Sequence, residues 1–385
     1  MPISTTPATH TVSGAPGADI EDVARLLAPD GHRVHDAVLD AALGSPAPDV
    51  LHALYRDMVL ARRVDAEGFA LQRQGQLGLW PPCRGQEAAQ IGPTLALRPT
   101  DMIFPSYRET GVVLARGARP SDFVLAWRGE EHAAYDPARL HMAPMQVIIG
   151  AHTLHATGYA MGIQRDAARG TGADEVAVAF FGDGATSQGD VSEALVFAAS
   201  FRAPVVFVCT NNQWAISEPV RVQSRAPLAG RAPGFGVAAL RVDGNDVLAC
   251  YAAMRWAADH ARRGEGPVFL ELVTYRMGPH TTADDPTRYR DPAELEFWER
   301  RDPIARFETH LRAEGLLDDD RMAAVAAEAD ALAAEVRAAC IGATTRPPLE
   351  MFDTVYADPH SGLAEERAAY AAYLAGFEDD EEARA

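Results

Sequence analysis

The segment from Glu175 to Ser217 constrains the fold more than any other part of the sequence. It contains two short apolar runs, residues 176–181 and 204–210, separated by a stretch with helical periodicity. An apolar run followed by an amphipathic helix and a second apolar run is typical of a βαβ unit with parallel strands. We therefore predict an α/β fold with a central, mostly parallel sheet flanked by helices.

Polar residues follow both predicted strands. Gly182, Asp183 and Gly184 come after the first strand, and Asn212 comes after the second. Because open α/β sheets bind ligands at the carboxyl ends of their strands, we expect these residues to lie close together. Glycines permit a tight turn and close backbone approach, and carboxylate and amide oxygens suit Mg²⁺. The pattern predicts a metal-bridged diphosphate at this edge of the sheet.

The spacing of these residues carries more information than the Gly-Asp-Gly turn itself, which alone is ordinary turn chemistry. With Asn212 one helix and one strand later, the pattern closely resembles the thiamine diphosphate motif. The resemblance extends from roughly Leu51 to Tyr356, and it is to the α subunits of bacterial heterotetrameric 2-oxo acid dehydrogenases. Besides the cofactor motif, the matching blocks are CRGQEAAQIG from Cys83, FPSYRETGVVLARG from Phe104, IIGAHTLHATGYAMG from Ile148 and YRMGPHTTADDPTRYR from Tyr275.

This resemblance implies a thiamine-diphosphate-binding fold and a set of ligands for the cofactor and its metal. The Mg²⁺ ligands would be Asp183, Asn212 and the backbone carbonyl of Trp214. Tyr107 and Arg108 would hold the diphosphate. Arginine suits this role because its planar guanidinium makes charge-assisted, often paired hydrogen bonds to phosphate oxygens.

The resemblance also implies backbone and apolar contacts to the cofactor. Gly182, Gly184 and Ala185 would let the backbone approach the diphosphate, and Ile149 would support the bent conformation of the cofactor. Ile148 is adjacent, so the match leaves a one-residue alternative. Periodicity alone favours core packing for either isoleucine.

His280 lies in a polar loop after the apolar run of residues 267–275, again at the carboxyl end of a predicted strand. The resemblance implies that this histidine is catalytic and assists transfer of the acyl group to lipoamide. Imidazole suits proton transfer near neutrality because its ordinary pKa is about 6.5. Thr281 and Thr282 stand where animal homologues carry a regulated serine, but we interpret them as hydrogen-bonding loop residues.

The sequence departs from the family pattern at two places. Apolar residues occupy the IIGAHT segment, where some animal homologues form a potassium site, so we predict no potassium there. Thr210 stands where some homologues place an arginine on the phosphate. Arg108 would therefore bear more of the phosphate binding.

The chain also lacks a recognisable carboxylate for the aminopyrimidine ring of the cofactor. The resemblance implies that a separate β subunit supplies it, in an α2β2 tetramer with its active site at the α–β interface. The implied activity is oxidative decarboxylation of a small 2-oxo acid and acylation of a lipoyl group on an acyltransferase core. We favour a branched-chain substrate such as 3-methyl-2-oxobutanoate, with pyruvate as a near-equal alternative and acetoin cleavage less favoured.

A competing hypothesis is a non-catalytic nucleotide-binding α/β protein that uses the glycine turn for ordinary phosphate recognition. It leaves Asn212, His280 and the Tyr107-Arg108 pair unexplained. A net charge of −19 disfavours nucleic acid as a partner. Four cysteines without a CxxC pair, no leader pattern and no long apolar run favour a cytoplasmic protein without membrane spans.

Three regions are expected along the chain. Residues 1–48 have no sustained periodicity and form a partly ordered N-terminal arm. Residues 49–345 form the cofactor-binding α/β domain, which opens with a helix from Asp49 to about Gly75. Residues 346–385 form a C-terminal extension with an acidic tail.

Overall fold

The computed structural model describes residues 22–130, 135–172 and 174–382. The first 21 residues of the predicted N-terminal arm and the last three residues of the acidic tail lie outside this range. By its internal contacts the chain divides into two units, Met1–Ile341 and Gly342–Ala385. Within the described residues, no helix is both long and apolar enough to cross a membrane.

The described part of the first unit contains helices and strands in alternation. Its helices are α1 (Ala37–Leu43), α2 (Pro48–Arg73), α3 (Glu87–Ala96), α4 (Thr110–Ala115), α5 (Ser121–Arg128), α6 (Pro137–Leu140), α7 (Ala151–Ala168), α8 (Gly189–Phe201), α9 (Val220–Gln223), α10 (Val247–Arg262), α11 (Pro292–Glu299), α12 (Pro303–Ala313) and α13 (Asp319–Ile341). Its strands are β1 (Met102–Phe104), β2 (Ala177–Gly182), β3 (Val205–Asn211), β4 (Trp214–Ala215), β5 (Glu218–Pro219), β6 (Ala238–Asp243) and β7 (Val268–Val273). Short 3₁₀ helices occupy Asp183–Ser187, Leu228–Phe235 and Pro286–Arg288.

The described part of the second unit is helical. It consists of a 3₁₀ helix at Pro348–Phe352 and helix α14 (Ser361–Glu382). Phe352 and Tyr370 place their rings 6.0 Å apart, and Arg367 forms an ion pair with Asp353, so the two elements contact each other within this unit.

Five parallel strands form the central sheet, in the order β1-β2-β3-β7-β6. This confirms the predicted α/β fold with a mostly parallel sheet. The two strands of the predicted βαβ unit are β2 and β3, which pair in parallel from Ala177 opposite Val205 to Gly182 opposite Thr210. Both strands begin and end one residue later than the apolar runs suggested.

Helices cover both faces of the sheet, which explains why its strands are continuously apolar. Side chains alternate along β2, so that Val178 and Phe180 enter one core while Ala177, Ala179 and Phe181 enter the other. Helices α3 and α10 pack on the first core, and α7 and α8 pack on the second. The sheet is therefore buried on both sides, and ligands can reach it only at the ends of its strands.

Residues 22–48 of the predicted arm pack against the core. Leu26 and Leu27 are fully buried, and their amides donate to the carboxylate of Asp246, both at 2.6 Å. Ala24 forms a parallel bridge with Val242 of β6. This segment thus extends the edge of the sheet at β6. The two paired residues are far apart in the sequence, and the sequence alone did not indicate that they pair.

Candidate active site

A cavity of about 430 Å³ lies at the carboxyl ends of β2 and β3. The ten residues predicted to form the site all line it. They are Tyr107, Arg108, Ile149, Gly182, Asp183, Gly184, Ala185, Asn212, Trp214 and His280. Residues from five separate stretches of sequence are thus brought to one place by the parallel sheet, as expected for an open α/β fold.

Asp183 is the first residue after β2 and begins the 3₁₀ helix there. Its side chain is almost completely buried, and Oδ2 accepts a 2.9 Å hydrogen bond from Nε2 of Gln223. Burial raises the pKa of Asp183 to about 6, against the opposing effect of the Gln223 hydrogen bond. A buried carboxyl whose side-chain hydrogen-bond donor is a neutral amide is suited to binding a metal ion.

The turn around Asp183 leaves no room for a side chain at its second glycine. A Cβ atom added to Gly184 would lie 2.8 Å from Cβ of Ala215 in β4. The same test at Gly182 meets no atom within 4 Å. Steric crowding therefore requires glycine only at position 184, where the turn meets the loop that follows β3.

Asn212 follows β3 directly, and its amide orientation is determined by two neighbours. The backbone N–H of Trp214 donates to Oδ1 at 3.2 Å, and Nδ2 donates to Oε1 of Gln86 at 3.0 Å. Gln213 and Ile216 have φ angles of 73° and 56°, in the left-handed region. This tight loop brings Asn212 and Trp214 to the wall of the same cavity.

Arg276 binds the carbonyl groups of the same loop. Nη1 donates to the Trp214 oxygen at 3.1 Å, and Nη2 donates to the Ile216 oxygen at 2.7 Å. The Trp214 carbonyl, predicted as a metal ligand, is therefore already a hydrogen-bond acceptor, although a carbonyl oxygen retains a second lone pair. Burial and the nearby Arg108 charge lower the pKa of Arg276 to about 10, so it remains a cation at neutral pH.

Arg108 connects the Tyr107-Arg108 pair to the loop that carries His280. Nη1 donates to the Pro82 carbonyl at 2.7 Å, and Nη2 donates to the His280 carbonyl at 2.9 Å. The Tyr107 ring lies edge-on to the imidazole, with 6.2 Å between ring centroids. The guanidinium is thus held at the cavity wall by neutral carbonyl groups, and its charge remains available to an anion.

His280 faces two guanidinium groups through one ring nitrogen. Nδ1 lies 3.1 Å from Nη2 of Arg108 and 3.4 Å from Nη1 of Arg276. Because guanidinium nitrogens only donate, Nδ1 must accept, and the proton of the neutral ring is on Nε2. Burial and these two cations lower the pKa of His280 to about 3. The imidazole is therefore neutral near pH 7.

Glu109 and Gln86 are among the polar residues that line the cavity and that the sequence analysis did not assign. Glu109 is almost completely buried, and burial raises its pKa to about 7. Gln86 is buried beside Asn212. Glu109 directly follows the Tyr107-Arg108 pair, and Gln86 lies within the first matching block, so their positions next to matched residues were the available signals.

Another part of the cavity wall is apolar. Leu79, Trp127, Val147 and Ile149 contribute to it, whereas Ile148 does not line the cavity and is 69% exposed. Of the two isoleucines left open by the sequence, the structure thus places Ile149 at the cavity. Cavities that combine an apolar wall with a few convergent polar groups are typical ligand sites.

The residues present fit a metal ion bound together with a diphosphate. Within the described residues, no group of three His, Cys, Asp or Glu side chains could hold a metal alone. Asp183 and Asn212 offer two oxygens, so a six-coordinate Mg²⁺ would take further oxygens from a ligand. Arg108 provides the cation for an anionic ligand at the same cavity.

Comparison with known proteins identifies the family. The model of the dehydrogenase E1 component family matches residues 55–351 of the chain. The chain belongs to this family. Its membership implies dependence on thiamine diphosphate, a β subunit as partner and a place in a multienzyme complex. The family predicted from the cofactor motif and the matching blocks is thereby confirmed.

Individual E1 relatives match over most of their length. The chain is 49% identical to the 3-methyl-2-oxobutanoate dehydrogenase subunit alpha of Mycobacterium tuberculosis, over 93% of this chain and 95% of the relative. It is 40% identical to the pyruvate dehydrogenase E1 component subunit alpha of Acholeplasma laidlawii, over 85% and 94% of the two chains. The corresponding Bacillus subtilis subunit is 38% identical, over 76% and 78%.

Proposed function

We propose that this chain, together with a separate β subunit in an α2β2 tetramer, catalyses oxidative decarboxylation of a 2-oxo acid with thiamine diphosphate and Mg²⁺. The disulfide of the lipoyl group on an acyltransferase core is the oxidant: its S–S bond breaks, one sulfur receives the acyl group and the other becomes a thiol. The observation that carries this proposal is the single cavity at the ends of β2 and β3, where Asp183, Asn212, Arg108 and His280 meet.

In this proposal the residues at the strand ends bind the metal and the diphosphate. Asp183, the Asn212 amide oxygen and the Trp214 carbonyl are the metal ligands, and Arg108 with Tyr107 binds the phosphate oxygens. The Gly184 turn supports this assignment because crowding against Ala215 leaves no room for a side chain there, so that backbone lines this part of the cavity. When bound, thiamine diphosphate would supply a nucleophilic carbon and an electron sink for the decarboxylation.

His280 is proposed to hold and deliver a proton during acyl transfer to the lipoyl group. Its Nδ1 accepts from two arginines, so Nε2 is the atom that carries the proton. The low pKa follows from those two positive charges and from burial. A diphosphate near Arg108 would offset one of the charges and raise the pKa of His280 towards the range useful for proton transfer.

The β subunit is proposed to supply the carboxylate that contacts the aminopyrimidine ring. Glu109 is the buried carboxyl of this chain that could compete for that role, because it also lines the cavity. Its Oε2 accepts from the N–H of Arg108 at 3.2 Å. This position beside the proposed diphosphate-binding pair favours a role for Glu109 at the phosphate end of the cofactor. The carboxylate at the aminopyrimidine ring is then left to the β subunit.

A branched-chain 2-oxo acid such as 3-methyl-2-oxobutanoate is the proposed substrate. The 49% identity to the alpha subunit of 3-methyl-2-oxobutanoate dehydrogenase exceeds the 40% identity to the Acholeplasma pyruvate enzyme. The apolar wall of Leu79, Trp127 and Val147 also supports an aliphatic acyl group. We further propose a cytoplasmic location, which four buried, unpaired cysteines support.

Pyruvate is the second candidate substrate. Several relatives that match over most of the chain are pyruvate dehydrogenase E1 alpha subunits. The acyl site is shared with the β subunit in this proposal, so the α chain contributes only part of the discrimination. A methylene difference in an apolar pocket changes specificity by about 10- to 200-fold, which a direct rate comparison resolves.

The test is turnover of 3-methyl-2-oxobutanoate and pyruvate by this chain co-expressed with its β subunit, with thiamine diphosphate and Mg²⁺. We expect cofactor-dependent decarboxylation with a higher kcat/KM for the branched-chain acid. A higher value for pyruvate would replace the substrate assignment. No turnover of either acid by a folded complex that binds the cofactor would overturn the proposed reaction.

Exchange of the acidic thiazolium proton of the cofactor for deuterium tests the division of labour between the subunits. We expect rapid exchange in the α–β complex and exchange at the rate of free cofactor with the α chain alone. Rapid exchange by the α chain alone that disappears in Glu109→Gln would contradict the proposed role of the β subunit.

A further inference from the structure

Gln86 immediately precedes α3 and lies in the cavity wall beside Asn212. Only 1% of the residue is exposed to solvent. Its neighbour Glu87 serves a different contact, because that carboxylate binds Arg62 and the Gly85 amide. Gln86 is therefore a buried polar side chain whose environment is the proposed cofactor site.

Hydrogen-bond donors and acceptors around Asn212 determine which way the Gln86 amide points. The Trp214 N–H can only donate, so the Asn212 atom that it meets at 3.2 Å is Oδ1. The other end of the Asn212 amide, Nδ2, is then a donor, and its partner at 3.0 Å must be Oε1 of Gln86. The nitrogen of Gln86 is left to face other groups.

That nitrogen has no hydrogen-bond partner in the part of the chain that the structure describes. Among the side chains that the structure describes, Nε2 of Gln86 is buried and makes no hydrogen bond. The hydroxyl of Thr210, which lines the same cavity, is likewise buried without a hydrogen bond among the described residues. Leaving a buried donor unsatisfied is unfavourable, and buried polar groups in proteins are nearly always paired. The two N–H bonds of Gln86 thus require an acceptor from within the cavity.

We propose that Gln86 binds the cofactor directly, its Nε2 donating to a diphosphate oxygen while its Oε1 fixes the Asn212 amide with Oδ1 available to the metal. This inference rests on the proposed function, since it assigns a residue to the same site. A neutral donor at this place complements Arg108, which brings charge to the diphosphate. Gln86 contributes a hydrogen bond and the orientation of a metal ligand.

Two substitutions separate these contributions. Gln86→Glu keeps an oxygen for Nδ2 of Asn212 but removes the donor, whereas Gln86→Leu removes both. At pH 8 in the α–β complex, we expect both variants to bind thiamine diphosphate about 10- to 100-fold more weakly, the range for losing a hydrogen bond to a charged group. The binding of inorganic pyrophosphate with Mg²⁺ should weaken by a similar factor, because the proposed contact is to phosphate oxygens.

The metal requirement distinguishes the two variants. Gln86→Leu should need several-fold more Mg²⁺ for half-maximal cofactor binding, because the Asn212 amide loses its fixed orientation. Gln86→Glu should need no more than the wild type. The matched control is Gln76→Glu, which adds the same charge at an exposed position outside the cavity and should change cofactor affinity less than about threefold.

Binding is measured by calorimetry and by the cofactor-induced rise in melting temperature, with assembly of the complex checked for each variant. Cofactor affinity within twofold of the wild type in Gln86→Glu would overturn the direct contact, and would mean that Nε2 holds water. An unchanged Mg²⁺ requirement in Gln86→Leu would overturn the orienting role. If the wild-type complex itself binds no thiamine diphosphate, the proposed function fails.

Discussion

The two polar walls of the cavity are held in place by different kinds of contact. Asp183 and Asn212 directly follow strands, and the ladder between β2 and β3 runs parallel up to Gly182 opposite Thr210. Their positions are therefore set by backbone hydrogen bonds inside a sheet that is buried on both faces. We call this side, from the ends of β2 and β3, the strand-end wall.

The second side, residues 274–290, is the loop wall. Backbone hydrogen bonds from Arg276, Met277 and Thr282 to other segments anchor it, and side chains hold it between these points. Arg290 donates to the carbonyls of Gly278 and Met277, at 3.0 and 3.2 Å. The His280 amide donates to Oδ2 of Asp284 at 2.7 Å, and the Tyr289 hydroxyl binds the same oxygen. Between these backbone anchors the loop wall thus depends on a few polar side chains.

This difference predicts how each wall responds to substitution. A ladder of backbone bonds persists when one side chain changes, so substitutions at the strand ends should remove chemistry without moving the backbone. A loop held by shared side-chain contacts should loosen when one of them is removed. Substitutions in the strand-end wall should therefore reduce binding and catalysis. Substitutions in the loop wall should first make the loop less ordered.

The largest effect is expected for Asp183→Asn. Loss of a metal ligand costs several kcal/mol, so decarboxylation by the α–β complex should fall at least about 1000-fold. Far-ultraviolet circular dichroism and assembly should remain as in the wild type. Asp190→Asn, at the start of α8, is the control and should retain activity. Activity of Asp183→Asn within tenfold of the wild type would remove Asp183 from the metal site.

His280→Asn tests the loop wall at its proposed catalytic residue. Loss of general acid–base catalysis costs about 100-fold or more, and we expect this loss in acylation of the lipoyl group. Decarboxylation measured with an artificial electron acceptor should fall much less, because that assay bypasses the lipoyl group. Equal losses in the two assays would contradict a role in acyl transfer. His155→Asn, at an exposed position of α7, is the control.

The pH dependence of stability provides a second test of the strand-end wall. Burial raises the pKa of Asp183 to about 6 from an ordinary value of 3.8. The folded state therefore binds the proton more tightly than the unfolded state, and Asp183 destabilises the cofactor-free fold increasingly as the pH rises from about 4 to 6. Above pH 6 this cost is at most about 3 kcal/mol.

Asp183→Asn should consequently melt at a higher temperature than the wild type at pH 7.5 without cofactor, and at a similar temperature near pH 4. Thiamine diphosphate with Mg²⁺ should stabilise the wild type and leave the variant unchanged. Differential scanning calorimetry of the assembled complex measures both effects. A variant that melts below the wild type at pH 7.5 would show that the Asp183 carboxylate is already compensated in the cofactor-free protein.

The strand-end wall was predictable from sequence because its determinants are local. Apolar runs of strand length, a helical period between them and polar residues at both ends identify a parallel βαβ unit and its binding edge. Asp183 and Asn212 are therefore adjacent in any chain with this pattern. The structure adds that crowding against Ala215 requires glycine at 184, which no local pattern indicates.

The loop wall and the supporting side chains were predictable only in part. His280 came from resemblance, but the contacts of Arg276 with Trp214 and Ile216 join residues about sixty positions apart. Gln86 reaches Asn212 across 126 positions. Such pairings depend on how the sheet folds elements together, and hydrophobic periodicity contains no information about them. The buried segment that includes Leu26 and Leu27 escaped prediction for the same reason.

Tyr289→Phe is expected to give the smallest effect. It tests whether the loop wall can become less ordered while its reacting groups remain intact. The Tyr289 hydroxyl accepts from Nη2 of Arg276 at 2.8 Å and donates to Asp284, so it links the base of the loop to its tip. Removing one such hydroxyl costs about 1 kcal/mol, which corresponds to roughly fivefold weaker cofactor binding if the loop must be ordered to bind.

Hydrogen exchange across residues 274–290 should accelerate in Tyr289→Phe without cofactor, while the amides of β2 and β3 keep their protection. Saturating cofactor should restore most of the protection and most of the activity, since the reacting groups are intact. Tyr356→Phe, an exposed tyrosine in the second unit, is the matched control. Faster exchange in β2 and β3 as well would mean that the two walls form one cooperative unit, and the distinction between them would then fail.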